Sequence, residues 1–211
     1  MNARFGKIAS SVTMVAVISF AISMILGFLT PTLFFSCLSS LFIGIGFVPF
    51  MIALTSVNRD PQMRAIGLSG IAFAIVYFML ILLVYYAEIT TVRMNQSLST
   101  ETLSIISYGY VGSLFFNYDL LGYGFMGLST FLIGFLVRPM DATARGLRMM
   151  LWLHGIFFPI CLFMPMFPVF STGTDTLFSV ILLEAWCAYF VPLCVLGIRY
   201  FAKIQRLGLS P

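Results

Sequence analysis

Long apolar runs separated by short polar segments set the pattern of this chain. In order, the runs cover residues 8–29, 33–54, 66–86, 117–137, 147–167 and 176–201. Each holds about the 20 predominantly apolar residues that a helix needs to cross a hydrocarbon layer ~30 Å thick. The first run is longer than the 7–15-residue core of a secretory signal, so it reads as a retained helix. The stretch 103–137 contains 35 residues and a single charge, Asp119. One straight helix of that length would measure about 52 Å. The stretch therefore divides into an interfacial or re-entrant helix at 103–116 and a fourth span at 117–137. The pattern predicts one all-α membrane domain, residues 1–211, built as a bundle of six transmembrane helices.

Composition agrees. Apolar residues make up 61% of the chain and charged residues 9%, against about 25% charged in a soluble domain. The mean hydropathy is +1.06. The net charge of +4 comes from short loops between spans and carries no nucleic-acid signal. All four cysteines (Cys37, Cys161, Cys187 and Cys194) fall inside apolar runs and form no CxxC pair. That argues against a disulfide framework and against a zinc or dithiol redox site. Lysine occurs only at positions 7 and 203, so no span carries one for a retinal Schiff base. A lone histidine excludes bis-histidine haem, and HExxH and P-loop motifs are missing from the sequence.

Lys and Arg divide unevenly between the two sides of a six-span bundle. Ten (Arg4, Lys7, Arg59, Arg64, Arg138, Arg145, Arg148, Arg199, Lys203 and Arg206) fall on one side and only Arg93 on the other. The positive-inside rule places both termini in the cytoplasm. The opposite side holds Glu88, Glu101, Asp119 and Asp175 with six of the nine tyrosines, as an aromatic belt would. Three spans plus three would have inverted topology, with a proline inside the middle span of each half, Pro49 and Pro159.

Within this apolar chain a few residues stand out. Glu184 is the acid set deepest in an apolar run, ~12 Å below the outer boundary. A charge there costs several kcal/mol, so it should face the bundle interior, be paired or be protonated. Ser19, Ser40 and Tyr77 fall at a similar depth, ~10–14 Å down, which predicts a polar layer centred on Glu184. Helical spacing puts Glu184, Cys187, Val191 and Cys194 on one inward face. His154 lies ~10 Å above the inner boundary. It is too far from Glu184 in depth for a direct pair, and Ser129 matches its depth better. Pro159 frees the carbonyl of Gly155, so a kink is expected beside His154. Glu88, Arg93 and Asp119 gather near the outer surface as the rim of a pocket roofed by 103–116. The glycines of LGYGFMGLS match GxGxxG without the strand that a nucleotide fingerprint requires, and read as helix-packing positions.

The segments LGYGFMGLSTFLIGFLV and LRMMLWLHGIFFP resemble a group of small multi-pass bacterial membrane proteins of unknown function. The resemblance covers spans four and five, about a quarter of the chain. It implies a bacterial cytoplasmic membrane and a six-helix bundle, and it assigns no site residues. The expected function is binding or transport of a small solute at an outward-facing intramembrane polar site. Glu184 is its centre, with His154, Tyr77, Ser19, Ser40 and Asp119 as further ligand-binding candidates. The alternative is a non-catalytic accessory subunit of a larger membrane complex. An intramembrane enzyme using Glu184 and His154 as acid and base is disfavoured by their depths. Expected partners are the lipid bilayer, a small-molecule solute, and a partner membrane protein or a second copy. No cofactor and no metal site is predicted.

Overall fold

A computed structural model describes residues 1–27, 33–58, 60–95, 97–167 and 176–208, of 176–179 the backbone alone. The predicted turns at 30–32 and 168–175, and with them Asp175, lie outside the described residues, as does Arg59. The described chain is helical, with no strand among the described residues. Its α-helices are α1 (Asn2–Leu26), α2 (Phe34–Ser56), α3 (Arg64–Ala87), α4 (Thr100–Ile106), α5 (Leu114–Gly134), α6 (Ala142–His154), α7 (Phe157–Phe163) and α8 (Thr176–Arg206). A 3-10 turn, Pro61–Met63, leads into α3, and a π-helical turn, Glu88–Val92, prolongs it.

Among the described residues, five segments are long and apolar enough to cross a membrane: Asn2–Leu26, Phe34–Ser56, Pro61–Val92, Ala142–Met166 and Val180–Arg206. The helix α5 has 21 residues, also a spanning length, but Asn117, Tyr118 and Asp119 dilute its apolar character.

The prolines act differently according to what surrounds them. Pro49 and Pro192 sit inside α2 and α8, which continue through them. At Pro159 the helix breaks four residues earlier, between His154 and Phe157. Proline lacks an N–H, so the Gly155 carbonyl loses its i+4 partner. Phe158 N–H takes it up instead at 3.1 Å, a tighter i+3 bond that turns the chain from α6 into α7.

The interfacial helix expected at 103–116 is not one helix. Ser99 caps α4 by accepting from Thr102 N at 3.2 Å, and α4 ends at Ile106. Ser113 caps α5 by accepting from Phe116 N at 3.0 Å, so α5 begins at Leu114 rather than at 117. Between them, 107–113 forms a tight loop with Gly112 at φ +84°, a conformation open to glycine at no steric cost. Two serine caps, each satisfying otherwise orphan N–H groups, outweigh the apolar continuity of the sequence.

One end of the bundle is fixed by contacts between distant segments. Gly6 of α1 packs on the Phe201 ring of α8. Asn58 donates to the Leu136 carbonyl at 2.7 Å. Lys203 pairs with Asp141 at 2.7 Å, while Asp141 also caps α6 by accepting from Ala144 N at 2.8 Å. The Lys203 amine, and next the Ala144 amide, hold the Asp141 carboxyl below its ordinary range. In the interior, Phe20, Phe47, Phe50, Ile81, Met126, Phe190 and Phe201 are fully buried. At Gly127, α5 touches α6 and α7 through backbone. A Cβ there would lie 3.0 Å from the His154 carbonyl oxygen and 3.2 Å from Phe158 N, the close approach that small residues allow between helices in lipid.

Candidate functional site

The polar residues of the interior form two groups, both built on one stripe of α5. Asp119, Tyr123, Met126 and Thr130 recur at spacings of four, three and four, the period of one helix face, and all four are buried. On α3 the same period places Tyr77, Ile81, Val84, Tyr85 and Glu88 inward.

The lower group is centred on His154, which is 1% exposed. Trp186 Nε1 donates to His154 Nε2 at 3.0 Å. An indole nitrogen can only donate, so Nε2 must carry a lone pair and Nδ1 the hydrogen. Nδ1 lies 2.8 Å from Thr130 Oγ1, which accepts that hydrogen and donates its own to the Gly127 carbonyl at 2.8 Å. Every donor in the chain Trp186, His154, Thr130, Gly127 thus has one acceptor. Tyr189 stacks on the imidazole at 5.9 Å between centroids and 14° between planes and donates its hydroxyl to the Met150 carbonyl. The group ties α5, α6 and α8 together with no polar atom of His154 to spare.

The upper group is centred on Asp119, which is 4% exposed. Tyr85 and Tyr77 from α3, Tyr123 from α5 and Tyr108 from the 107–113 loop surround it, and Cys37 and Cys161 lie within electrostatic range. The rings meet at steep angles: Tyr85 on Tyr108 at 5.2 Å and 71°, Tyr77 on Tyr123 at 5.8 Å and 58°, and Tyr123 on Trp186 at 5.2 Å and 79°. The Tyr85 hydroxyl reaches toward Asp119, Tyr108 and Tyr123, in hydrogen bonds of loose geometry. Asp119 Oδ1 and the hydroxyls of Tyr77, Tyr85 and Tyr123 are all buried and unpaired. So is Ser40 Oγ on α2. That is unusual here, because Ser10, Thr13, Ser23 and Thr55 each donate to the carbonyl four residues back. Among the described residues Asp119 has no ion-pair partner. An uncompensated carboxylate in an apolar interior costs several kcal/mol, so its counter-charge must be a proton or a cation that is not part of the chain.

The 107–113 loop covers this group and is held by Glu88. The Glu88 carboxylate accepts from Ser107 Oγ at 3.1 Å and from Tyr108 N at 3.0 Å. Within the loop, Ser113 Oγ donates to the Ser107 carbonyl at 2.7 Å. Glu88 therefore lies beneath the loop as its anchor instead of forming a charged rim with Arg93. The Arg93 guanidinium stands 4.5 Å over the Phe34 ring.

The six residues singled out in the sequence separate. Asp119, Tyr77 and Ser40 belong to the buried, unpaired set. His154 belongs to the paired set, and its partner on α5 is Thr130. Ser129, which matches its depth, donates instead to the Gly70 carbonyl at 2.7 Å. Ser19 is half-buried in a groove between α1 and α2 that Ser11, Ala16 and Ser39 also line. Glu184 is half-buried, at the flank of the α8 face that buries Val180, Cys187 and Cys194, beside exposed Ile181 and Leu182. Its Oε1 is buried and unpaired, and no hydrogen bond joins it to Ser19, Ser40, Tyr77 or His154. The expected layer centred on Glu184 gives way to one centred on Asp119, because α8 turns its cysteine face, not its glutamate, fully inward.

Tyr85, Tyr108 and Tyr123 were read from the sequence only as parts of an interfacial belt. The signal that separates Tyr85 and Tyr123 from the belt is their helical phase with Tyr77 and Asp119. No family model, curated protein or solved structure matches the chain.

Proposed function

We propose that the protein spans a bacterial cytoplasmic membrane six times, with both termini inside, and binds or carries a small solute at an outward-facing polar site. Co-location of the α1 start, the α2–α3 loop, the α5–α6 junction and the α8 end supports the orientation, because the ten clustered basic residues, nine of them described, belong to those segments. On this reading α5 is the sixth crossing, its lower apolarity being that of the helix that carries the site. The observation behind the solute reading is Asp119, a fully enclosed carboxyl facing three unpaired phenols. Unsatisfied buried polar atoms are rare in folded proteins, and each calls for an explanation. Here Asp119 and three phenols fall in one cluster.

The site is centred on Asp119, with Tyr77, Tyr85 and Tyr123 around it. Glu184 and His154 stand outside it. Native mass spectrometry from mild detergent tests this. The wild type and Glu184→Gln should retain a bound small molecule that Asp119→Asn lacks. Retention of the same molecule by Asp119→Asn would place the solute elsewhere.

A second reading has its own support. The groove between α1 and α2 opens to the outside of the bundle, with Ser11, Ala16, Ser19 and Ser39 on its small side and Val12, Val15, Leu38 and Phe42 on its apolar side. Small residues of this kind let a further helix approach closely, as an accessory subunit requires. Co-purification of a stoichiometric membrane protein, lost in Ala16→Leu, would favour it.

A further inference from the structure

We propose that the cavity where α3 begins holds the headgroup of a zwitterionic aminophospholipid, a phosphate followed by a primary ammonium. This site is separate from the Asp119 group and does not depend on the solute reading.

The cavity has a volume of about 330 Å³, near the lower end of the ~300–1,000 Å³ range of small-molecule sites. That suits a headgroup with its acyl chains left outside. Four parts of the chain make the walls: Thr55 in the last turn of α2, Asn58 and Asp60 in the following turn, Arg64 and Leu68 at the start of α3, and Leu136 just past α5. These walls are tied to one another. Asn58 Nδ2 donates to the Leu136 carbonyl at 2.7 Å, and Asn58 Oδ1 accepts from Asp60 N at 2.8 Å. A Cβ at Gly67 would lie 2.6 Å from Thr55 Cγ2 and 2.9 Å from Leu136 Cδ2, so α3 closes on both walls through a glycine.

Two charges of opposite sign line the cavity and are not joined. Asp60 and Arg64 are four residues apart, a separation that lets side chains meet on a helix. They form no ion pair among the described residues. Asp60 Oδ1 accepts from Gln62 N at 3.0 Å, which holds the carboxylate to the turn instead of along α3. A guanidinium matches a phosphate with paired N–H donors, and a carboxylate accepts from an ammonium. A headgroup that carries both groups satisfies Arg64 and Asp60 at once. A headgroup of net negative charge leaves Asp60 uncompensated, and a quaternary ammonium has no N–H to donate to it.

The level of the cavity is that of a headgroup. The membrane-suited segment begins at Pro61. Leu68 follows Arg64 by one turn, ~6 Å along the axis, and is 56% exposed. The charged groups therefore stand at the polar boundary, and the exposed flank of Leu68 lies on the hydrocarbon side, where acyl chains continue. A free solute of the same chemistry would leave that apolar flank unused.

The full chain in mild detergent is mixed with equal amounts of phosphatidylethanolamine, phosphatidylglycerol and phosphatidylcholine of identical acyl chains. Native mass spectrometry reads the bound lipid. The wild type should carry phosphatidylethanolamine over each competitor by about tenfold, the size of one hydrogen bond to a charged group. Asp60→Asn keeps a capping side chain and should erase that preference. Arg64→Gln should lower the occupancy of all three lipids by about tenfold. Arg145→Gln, which alters an exposed basic residue outside the cavity, should leave the preference within about twofold. Preference of the wild type for phosphatidylglycerol would replace the aminophospholipid by an anionic one. Equal occupancy by all three lipids, or an undiminished preference in Asp60→Asn, would overturn the assignment. Displacement of the bound lipid by free O-phosphoethanolamine would give the cavity to a soluble ligand. The competition in unsubstituted protein needs no variant to fold, and its failure would leave the Asp119 reading in place.

Discussion

The His154 group and the Asp119 group lie on the same stripe of α5, eleven residues apart from Asp119 to Thr130, and both are buried. In the first, each donor has its acceptor: Trp186 to His154, His154 to Thr130, Thr130 to Gly127. In the second, a carboxyl oxygen and three phenols stand together without a hydrogen bond of ordinary geometry. Residue type alone would rank a lone intramembrane histidine as the more suggestive of the two. Hydrogen-bond satisfaction reverses the order. A saturated network stabilises and fixes geometry, whereas an unsaturated one retains capacity for something else.

The contrast can be broken most forcefully at the saturated end. His154→Ala should destabilise the protein by about 3 kcal/mol or more, because it leaves the Trp186 N–H donor and the Thr130 hydroxyl acceptor unmatched in the interior and opens a cavity. Thermal unfolding in detergent reads this directly. A result within error of wild type would remove the clasp role. Next in size is Gly127→Ala, which should cost about 1–3 kcal/mol as an overpacked contact, since the new methyl meets backbone atoms of His154 and Phe158.

Asp119→Asn should behave in the opposite sense. Its thermal midpoint should equal or exceed that of the wild type, because an uncompensated carboxyl is removed, while solute retention falls at least tenfold. A large destabilisation would show that Asp119 is a structural residue like His154, and the contrast would collapse. Glu88→Ala sharpens the picture of the loop. It removes the acceptor for Ser107 and Tyr108, so hydrogen exchange at 107–113 should accelerate while exchange in α5 does not change.

The smallest effect concerns Asp141. Its carboxyl is held below the ordinary value by Lys203 and Ala144. Its contribution is therefore fully present above the unfolded carboxylate pKa and is lost as pH falls through the lowered folded value. The pair is exposed, so the loss in Asp141→Asn should be small at neutral pH. It should vanish under acid conditions, as unfolding midpoints across pH would show.

Much of the helix plan was legible because it depends on local quantities. Run length and apolarity locate the helices of both termini to within six residues, and Pro159 marks the break at Gly155 through the loss of one N–H. The 107–113 loop was less legible. Apolar residues continue across it, and the two serine caps that stop and restart the helix are short polar signals within an apolar run. Depth along a span was read well enough to bring Tyr77 to the level of Asp119. It failed with Ser129 and Glu184, because depth says nothing of the direction a side chain takes around the helix axis. Adjacent positions differ by about 100°, which is the difference between Ser129 on Gly70 and Thr130 on His154.

The sequence by itself determined that this is a helical, membrane-suited chain with its basic residues grouped at one end, since those properties are sums over composition and order. Only the tertiary structure decided which buried polar groups are satisfied. That depends on partners from α3, α5 and α8, separated by tens of residues and brought within 3 Å of one another, or left unpaired, by the packing of whole helices.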